Sequence, residues 1–184
     1  MLREIPNIIS VARIILVVPI VYTLIKGMYD TALFLFVIAG ISDGLDGFLA
    51  KHFGWVTRLG GILDPLADKI LLISCYVVLG WQEVIPVWLV AAVIIRDVII
   101  VTGGIVYHFR IEVLEALPSV ISKINTFMQI VVVVAVMLDR SWWDMPPIML
   151  DTLFYITLAT TIASGLDYVW RWSARAMQIT KGKG

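Results

Sequence analysis

Six long apolar runs, separated by short stretches with charged residues, glycine or proline, fill most of this 184-residue sequence. Each run has about the twenty residues that a helix needs to cross a bilayer. The chain is 60% hydrophobic and 15% charged, which lies outside the usual composition of soluble domains. We therefore predict an all-α integral membrane protein, a bundle of six transmembrane helices in one domain over residues 1–184. The predicted spans are residues 7–26, 31–50, 62–81, 86–107, 118–138 and 147–170.

The distribution of charge predicts how these helices are oriented. Fourteen basic and fourteen acidic side chains give no net charge, so no basic footprint for nucleic acid is present. With the N-terminus in the cytoplasm, most loop cations fall on that side, and the opposite loops hold Lys26 and Arg140. The first apolar run is too long for a signal peptide and contains Arg13, so we expect it to be retained. Since no transit-type segment is seen, a bacterial inner membrane is the expected location, with membrane lipids as partners.

Four aspartates lie inside apolar sequence, with Asp43 and Asp46 near the end of the second run and Asp64 and Asp68 at the start of the third. An ionisable group within a membrane is costly unless it is paired, solvated or metal-bound, so such residues mark functional sites. Spacings of three and four residues place each pair on one helix face. Clustered carboxylates stay ionised when a cation holds them, and hard oxygen ligands suit Mg²⁺ or Mn²⁺. The pattern predicts a site for two such ions, open to the cytoplasm, and a cation-coupled membrane transporter is the alternative.

Small residues accompany the aspartates on the second run. Gly40, Gly44 and Gly47 recur at spacings of four and three residues, which brings them toward one helix face. Such a face lets another helix, or a ligand, approach the backbone closely. Because Lys51 and Thr57 follow closely in the sequence, a bound phosphate is favoured over helix packing alone.

The run DGLDGFLAK, followed after eight residues by GGILDPLAD, resembles the signature of the CDP-alcohol phosphotransferases, DxxDGxxAR and GxxxDxxxD. Lys51 is the one departure, because it stands where the family has arginine. The resemblance implies six transmembrane helices, a homodimer, and an active site at the cytoplasmic ends of the second and third helices. It also implies a metal-dependent transfer of a phosphatidyl group from a CDP-lipid.

The resemblance further implies a role for each matching residue. Two divalent metals on the diphosphate would be held by Asp43, Asp46 and Asp64. Asp68 would complete the second metal site and act as the base that takes the proton of the attacking hydroxyl. The CDP-lipid site would be lined by Gly47, Lys51 and Thr57. Lys51 keeps the positive charge of arginine but loses its bidentate fork, so its contact is the least secure of these.

Three later segments are similar to those of CMP-forming cardiolipin synthases of the mitochondrial type: IRDVIIVTGG, PSVISKINTFMQI and TTIASGLDYVWRW. This resemblance implies that phosphatidyl passes from CDP-diacylglycerol to phosphatidylglycerol, which gives cardiolipin and CMP. Phosphatidylglycerophosphate synthases share the core signature, so glycerol 3-phosphate is the alternative acceptor. A transporter is the alternative of another class, although transporters usually carry repeats and broken helices around a midplane site, and this sequence shows no repeat.

Two intramembrane cations are candidates for binding either anionic acceptor, Arg96 in the fourth span and Lys123 in the fifth. Arg96 has an alternative, which is to pair with an acid such as Asp97 or Asp167. Lys123 has no acid nearby in the sequence, so it is the better candidate of the two. The first helix can add lining residues to the same chamber, namely Asn7, Ser10 and Arg13.

Overall fold

The computed structural model of the chain describes residues 5–53, 60–110 and 119–181, and side chains within residues 8–45, 66–102 and 119–171. In this described part the chain forms six α-helices and no β-strand. The helices are α1 (Ile5–Ile25), α2 (Tyr29–Phe53), α3 (Gly60–Trp81), α4 (Val87–Arg110), α5 (Val120–Ser141) and α6 (Pro147–Lys181). They overlap all six predicted runs, so the all-α prediction is confirmed.

Three helical stretches in the described residues are long and apolar enough to cross a membrane: Ile8–Ile25, Val120–Ser141 and Pro147–Arg171. They coincide with the first, fifth and sixth predicted spans and support association with a membrane. The described residues of α2, α3 and α4 do not meet the same criterion, so an arrangement of six spans is not confirmed.

The helices are grouped into two compact units. The first unit, Met1–Ile85 and Val133–Pro146, contains α1, α2, α3 and the later part of α5. The second unit, Pro86–Val132 and Pro147–Gly184, contains α4, the earlier part of α5 and α6. Each group of polar contacts described below lies within one unit. The single domain over residues 1–184 stays a prediction.

In the first unit, α1 packs against both α2 and α3. Buried apolar side chains recur at intervals of three and four residues on all three helices, which is the spacing of one helix face. They are Val17, Ile20 and Leu24 on α1, Leu33, Phe36 and Ala39 on α2, and Leu71, Leu72, Cys75 and Leu79 on α3. Each helix thus turns one apolar stripe toward the interior of the unit.

A tight turn after α1 brings α2 back alongside it. Gly27 has a φ of 71°, in the left-handed region that glycine adopts without a steric penalty. Its N–H donates to the carbonyl oxygen of Leu24 (2.9 Å), and the N–H of Met28 donates to that of Thr23 (2.9 Å). This pair of bonds is a Schellman motif, which ends a helix and satisfies its last carbonyls. Because α2 begins at Tyr29, the connection is short and the two helices run as antiparallel neighbours.

Gln82, just after α3, ties the same end of the unit together. Its Nε2 donates to the carbonyl oxygen of Leu24 near the end of α1 (2.7 Å). Its Oε1 accepts from the hydroxyl of Tyr29 in the first turn of α2 (3.1 Å). One side chain therefore links three helices, and their register places the start of α1 beside the end of α2 and the start of α3.

In the second unit, α4 packs against α6. Leu89, Val93 and Arg96 are buried at spacings of four and three residues and mark the packed face of α4. Trp88 stacks on Tyr155 of α6, with ring centroids 5.5 Å apart and an interplanar angle of 19°. The packed face of α4 therefore carries a charged residue among apolar ones, and a network of polar contacts forms around that residue.

Candidate active site

The apolar stripes of the first unit end in three charged side chains. Arg13 continues the stripe of α1, Asp43 that of α2 and Asp68 that of α3, each at a spacing of three or four residues. Residues at these spacings lie on one helix face. Because all three stripes face the interior of the unit, the three charged side chains meet there.

One guanidinium nitrogen binds both aspartates. Nη1 of Arg13 lies 2.6 Å from Oδ1 of Asp43, and it donates a hydrogen bond to Oδ1 of Asp68. The arginine side chain is 1% exposed, whereas the side chains of Asp43 and Asp68 are 41% and 44% exposed. The cation is therefore buried, and each acid keeps an accessible side.

The donor set at this position fits a divalent ion. Two carboxylates from different helices converge on one guanidinium, so these three side chains carry one negative charge in excess. Hard carboxylate oxygens are the ligands that Mg²⁺ and Mn²⁺ prefer. The described residues contain no group of three or more candidate metal ligands, and the side chains of Asp46 and Asp64 lie outside them. The site for two ions therefore stays a prediction.

Several predicted site residues fall where the structure describes no side chain. Asp64 belongs to the backbone of α3, and three others belong to that of α2: Asp46, Gly47 and Lys51. Thr57 lies wholly outside the described residues. The contacts of these five residues with metal or CDP-lipid stay predictions.

Gly40 and Gly44 lie on α2 just before and after the turn that carries Asp43. A Cβ atom built at either glycine would have no described atom within 4 Å. Among the described residues, then, no helix packs closely enough to require glycine there.

Arg96 is the centre of the polar contacts in the second unit. Its Nη1 donates to Oδ1 of Asp97 (2.6 Å), and its Nη2 donates to the hydroxyls of Ser122 and Ser164 (2.6 Å each). Its Nε also donates to Ser164 (3.2 Å), and its guanidinium carbon lies 6.0 Å from the ring centroid of Tyr168. Arg96 and Asp97 are 4% and 5% exposed. Arg96 therefore takes the alternative partner considered above, and its contact with an acceptor stays a prediction.

Lys123 has different surroundings. It lies in the first turn of α5, and its side chain is exposed. Asp167, the other acid considered for Arg96, pairs with Arg171 one turn later on α6 (2.8 Å). Lys123 is thus the more accessible of the two predicted acceptor cations.

A second group of polar contacts joins α5 to α6, and we call it the α5–α6 polar cluster. Its members are Asn125, Thr157, Thr160 and Thr161. Oδ1 of Asn125 accepts from the hydroxyl of Thr161 (2.8 Å) and lies 3.1 Å from that of Thr160. Asn125 and Thr157 are both 0% exposed. Nδ2 of Asn125 and Oγ1 of Thr157 have no hydrogen-bond partner in the described part of the chain.

Two of these features are not predicted from the sequence. Arg13 is predicted only to line the chamber, and its pairing with two aspartates is a new finding. The tendency of charged residues within membranes to pair is the signal that points to it. The α5–α6 polar cluster is also new. Its signal is the helical spacing of Thr157 and Thr161 opposite Asn125, in runs that are otherwise apolar.

Comparison with known proteins finds relatives over most of the chain. A sequence model of the CDP-alcohol phosphatidyltransferase family matches residues 3–163. Cardiolipin synthase (CMP-forming) of Rattus norvegicus is 33% identical over 199 residues, which cover 97% of this chain and 64% of that protein. The protein of the same name from Homo sapiens is 34% identical over 197 residues, with coverages of 96% and 64%. This chain therefore spans less than two thirds of the length of these two relatives.

A bacterial relative matches over nearly its whole length. CDP-diacylglycerol--glycerol-3-phosphate 3-phosphatidyltransferase of Bacillus subtilis is 29% identical over 182 residues, which cover 90% of this chain and 93% of that protein. Proteins with two different enzyme names are thus both similar to the chain. The resemblance drawn from the aspartate signature is confirmed by these matches.

Proposed function

The chain belongs to the CDP-alcohol phosphatidyltransferase family of transferases, and from that premise we propose that it transfers phosphatidyl from CDP-diacylglycerol to phosphatidylglycerol, giving cardiolipin and CMP. The similarity of both cardiolipin synthases to nearly all of this chain supports that acceptor. The observation that carries the proposal is the convergence of Asp43 and Asp68 on Arg13. These are the first and last acids of the signature, and packing against α1 brings them to one place.

The four aspartates are proposed to hold two divalent ions, Mg²⁺ or Mn²⁺, in keeping with the general metal dependence of the family. The proposed ligands are Asp43, Asp46, Asp64 and Asp68. Ions bound there would neutralise the diphosphate of the substrate and the departing CMP. Arg13 binds Oδ1 of Asp43 and Oδ1 of Asp68 through one guanidinium nitrogen. Arg13 is thus a positioning residue, since hydrogen bonds to metal-binding carboxylates fix their orientation.

Asp68 is proposed to be the general base. An oxygen of the acceptor hydroxyl bonds to the phosphorus that carries diacylglycerol, the bond from that phosphorus to the CMP oxygen breaks, and CMP leaves with the electron pair. The hydroxyl proton passes to Asp68, whose side chain is 44% exposed and so accessible to a substrate. An ion pair with Arg13 is compatible with the ionised form that a base needs.

The two substrates are proposed to contact different sets of residues. The CDP-lipid site would be lined by Gly47, Lys51 and Thr57. No described atom lies within 4 Å of a Cβ built at Gly44, which is compatible with a ligand at this part of α2. Lys123, which is exposed, would meet the phosphate of the acceptor directly. Arg96, which is buried, would act through the hydroxyls that it holds.

The placement in the cell is part of the proposal. We propose six spans, a homodimer, and an active site that faces the cytoplasm of a bacterial inner membrane. The cytoplasmic bias of the basic loop residues supports the orientation. The Bacillus subtilis relative supports a bacterial location, whereas the two animal synthases point elsewhere.

A second candidate function is phosphatidylglycerophosphate synthesis, in which glycerol 3-phosphate is the acceptor. The similarity of the Bacillus subtilis protein supports it, because that protein is 29% identical over 90% of this chain. Both candidates use the same aspartates, and they differ only in the molecule that supplies the hydroxyl.

The test is an assay of the purified full chain with Mn²⁺ or Mg²⁺, CDP-diacylglycerol and each acceptor in turn. CMP release and the lipid product are both followed. The proposal predicts CMP and cardiolipin with phosphatidylglycerol. CMP with glycerol 3-phosphate alone would establish the second candidate, and no CMP with either acceptor would contradict the transferase function.

A further inference from the structure

α6 is longer than a membrane crossing requires. It runs from Pro147 to Lys181, and its 35 residues span about 52 Å at the usual helical rise. The stretch that is apolar enough to cross a bilayer ends at Arg171. The helix therefore continues for about 15 Å beyond that stretch, and we call residues 172–181 the α6 extension.

A tryptophan marks the level at which α6 leaves the lipid. The side chain of Trp170 is 76% exposed, at the end of the apolar stretch. Exposed tryptophans in such positions typically lie at the headgroup level of a bilayer. Since the headgroup layer is about 5 to 7 Å thick on each side, the first turn of the α6 extension falls among the headgroups. The remainder falls in the water next to them.

The end of α6 and the residues after it carry only basic charges. The sequence after Asp167 contains no acid and four cations: Arg171, Arg175, Lys181 and Lys183. Arg171 pairs with Asp167 one turn earlier (2.8 Å), and its side chain is still 53% exposed. No acid lies one turn before or after Arg175 or Lys181 in the sequence, so the charge of the α6 extension is not balanced within it.

Helical spacing separates basic from apolar positions in this segment. Successive residues of a helix are rotated by about 100°, so positions 171, 175 and 181 fall in one sector of about 120°. A different sector holds three apolar residues: Trp172, Ala176 and Ile179. Basic residues on one face and apolar residues that include tryptophan on another are typical of helical segments that bind lipid surfaces.

We propose that Arg171 and the α6 extension form a binding surface for the headgroups of anionic phospholipids. Basic residues next to a transmembrane helix attract anionic lipids, and the attraction falls off over about 10 Å at 0.1 M ionic strength. Arg175 lies about 6 Å beyond Arg171 along the helix axis, at the level of the headgroups, and Lys181 lies about 15 Å beyond it, near the limit of the attraction.

The surface has a use in the reaction proposed above. Phosphatidylglycerol and CDP-diacylglycerol are both anionic, so the surface would raise their concentration next to the enzyme. This use rests on the proposed function. The binding of anionic lipid does not rest on it, because it follows from the charge and position of the α6 extension.

A fluorophore on the α6 extension measures which lipids gather there. Ser173→Cys in the full chain supplies the attachment point, because position 173 lies about 140° from the middle of the basic sector. Cys75, the one native cysteine, is buried and is not expected to take the label. The labelled protein is placed in phosphatidylcholine vesicles that contain a small fraction of a spin-labelled lipid, which quenches the fluorophore. Phosphatidylserine and phosphatidylcholine are compared as the spin-labelled lipid, since phosphatidylserine is anionic but is neither of the two candidate acceptors.

Phosphatidylserine is expected to quench the label about fivefold more efficiently than phosphatidylcholine at low ionic strength. Arg175→Gln combined with Lys181→Gln is expected to remove most of this preference, and glutamine preserves helix propensity. Lys26→Gln combined with Arg140→Gln is the matched control. It removes the same charge from exposed positions on the predicted opposite side, far from the label in the expected topology, and is expected to keep the preference.

A salt titration tests the surface without any change of charge in the protein. The preference is expected to disappear near 1 M salt, where screening acts over about 3 Å. Equal quenching by the two lipids at low salt would overturn the surface and leave the four cations as determinants of helix orientation alone. A preference that persists at 1 M salt, or in Arg175→Gln combined with Lys181→Gln, would also overturn it.

CMP release is measured on the same preparations, which separates this surface from the reaction. A salt-sensitive preference that depends on Arg175 and Lys181, in a protein that releases no CMP, would support the surface and contradict the proposed function. CMP release by a protein that shows no preference would contradict the surface alone.

Discussion

Arg13 and Arg96 are both buried in helices, at 1% and 4% exposure, yet their partners differ. Arg13 binds two carboxylates that are themselves 41% and 44% exposed, so its group carries excess negative charge on an accessible side. Arg96 binds one buried carboxylate and two serine hydroxyls, so its group is neutral and enclosed.

This difference indicates that the function of such a group depends on how many acids surround the buried arginine. The presence of a buried arginine alone does not define it. An excess of carboxylates on an accessible side attracts a further cation, as the proposed catalytic site requires. A pair of one arginine and one carboxylate carries no net charge, so it attracts no further ion. The predictions below test this contrast one residue at a time.

Asp68→Asn is expected to have the largest effect. Loss of a general base lowers turnover about 10²- to 10⁴-fold. CMP release at saturating substrates measures it, and Asp30→Asn is the control because Asp30 is an exposed aspartate in the first turn of α2. Turnover of Asp68→Asn equal to that of the wild type would remove Asp68 as the base.

Asp97→Asn tests the enclosed pair of the second unit. It leaves the charge of Arg96 buried without its counter-charge, so the free energy of unfolding is expected to fall by about 3 kcal/mol. Replacing both members, as Arg96→Met with Asp97→Leu, is expected to restore most of that stability. Denaturant unfolding in detergent measures both variants. If the double variant is as unstable as Asp97→Asn, the loss of stability in Asp97→Asn does not come from the unpaired charge of Arg96.

Arg13→Gln tests the group of Arg13, Asp43 and Asp68, in which the carboxylates outnumber the arginine. The affinity for Mn²⁺ is expected to fall about 10- to 100-fold, as when a residue that orients metal-binding carboxylates is lost. Arg13→Lys keeps the charge but not the planar guanidinium, so its affinity is expected to be intermediate. A rise in Mn²⁺ affinity in Arg13→Gln would mean that Arg13 competes with the ion instead of positioning its ligands.

Lys123→Met is expected to have the smallest effect. Lys123 is exposed, and exposed ion pairs contribute up to about 1 kcal/mol. The KM for phosphatidylglycerol is therefore expected to rise by up to about fivefold, with the KM for CDP-diacylglycerol unchanged. Equal rises in both KM values would indicate a change in the fold and not a lost acceptor contact.

The helices and the aspartates are predictable from the sequence because they depend on local pattern. Runs of apolar residues define the helices, and Asp43 and Asp68 stand out as charges within them. The partners of the arginines are not predictable in the same way. Adjacent residues of a helix point about 100° apart, so helical facing alone does not select Asp97 for Arg96. The choice depends on side-chain reach and on packing against α6, and the pairing of Arg13 depends likewise on how α2 and α3 pack against α1.

Binding of Mn²⁺ in the absence of lipid substrate tests the central claim most directly, namely that the carboxylates held by Arg13 form a cation site. Titration of the wild type, Asp43→Asn and Asp30→Asn, followed by the electron paramagnetic resonance signal of unbound Mn²⁺, measures it. The account predicts binding by the wild type and Asp30→Asn with equal affinity, and binding at least about tenfold weaker in Asp43→Asn. Equal Mn²⁺ affinity of all three proteins, or no binding by the wild type, would contradict the account.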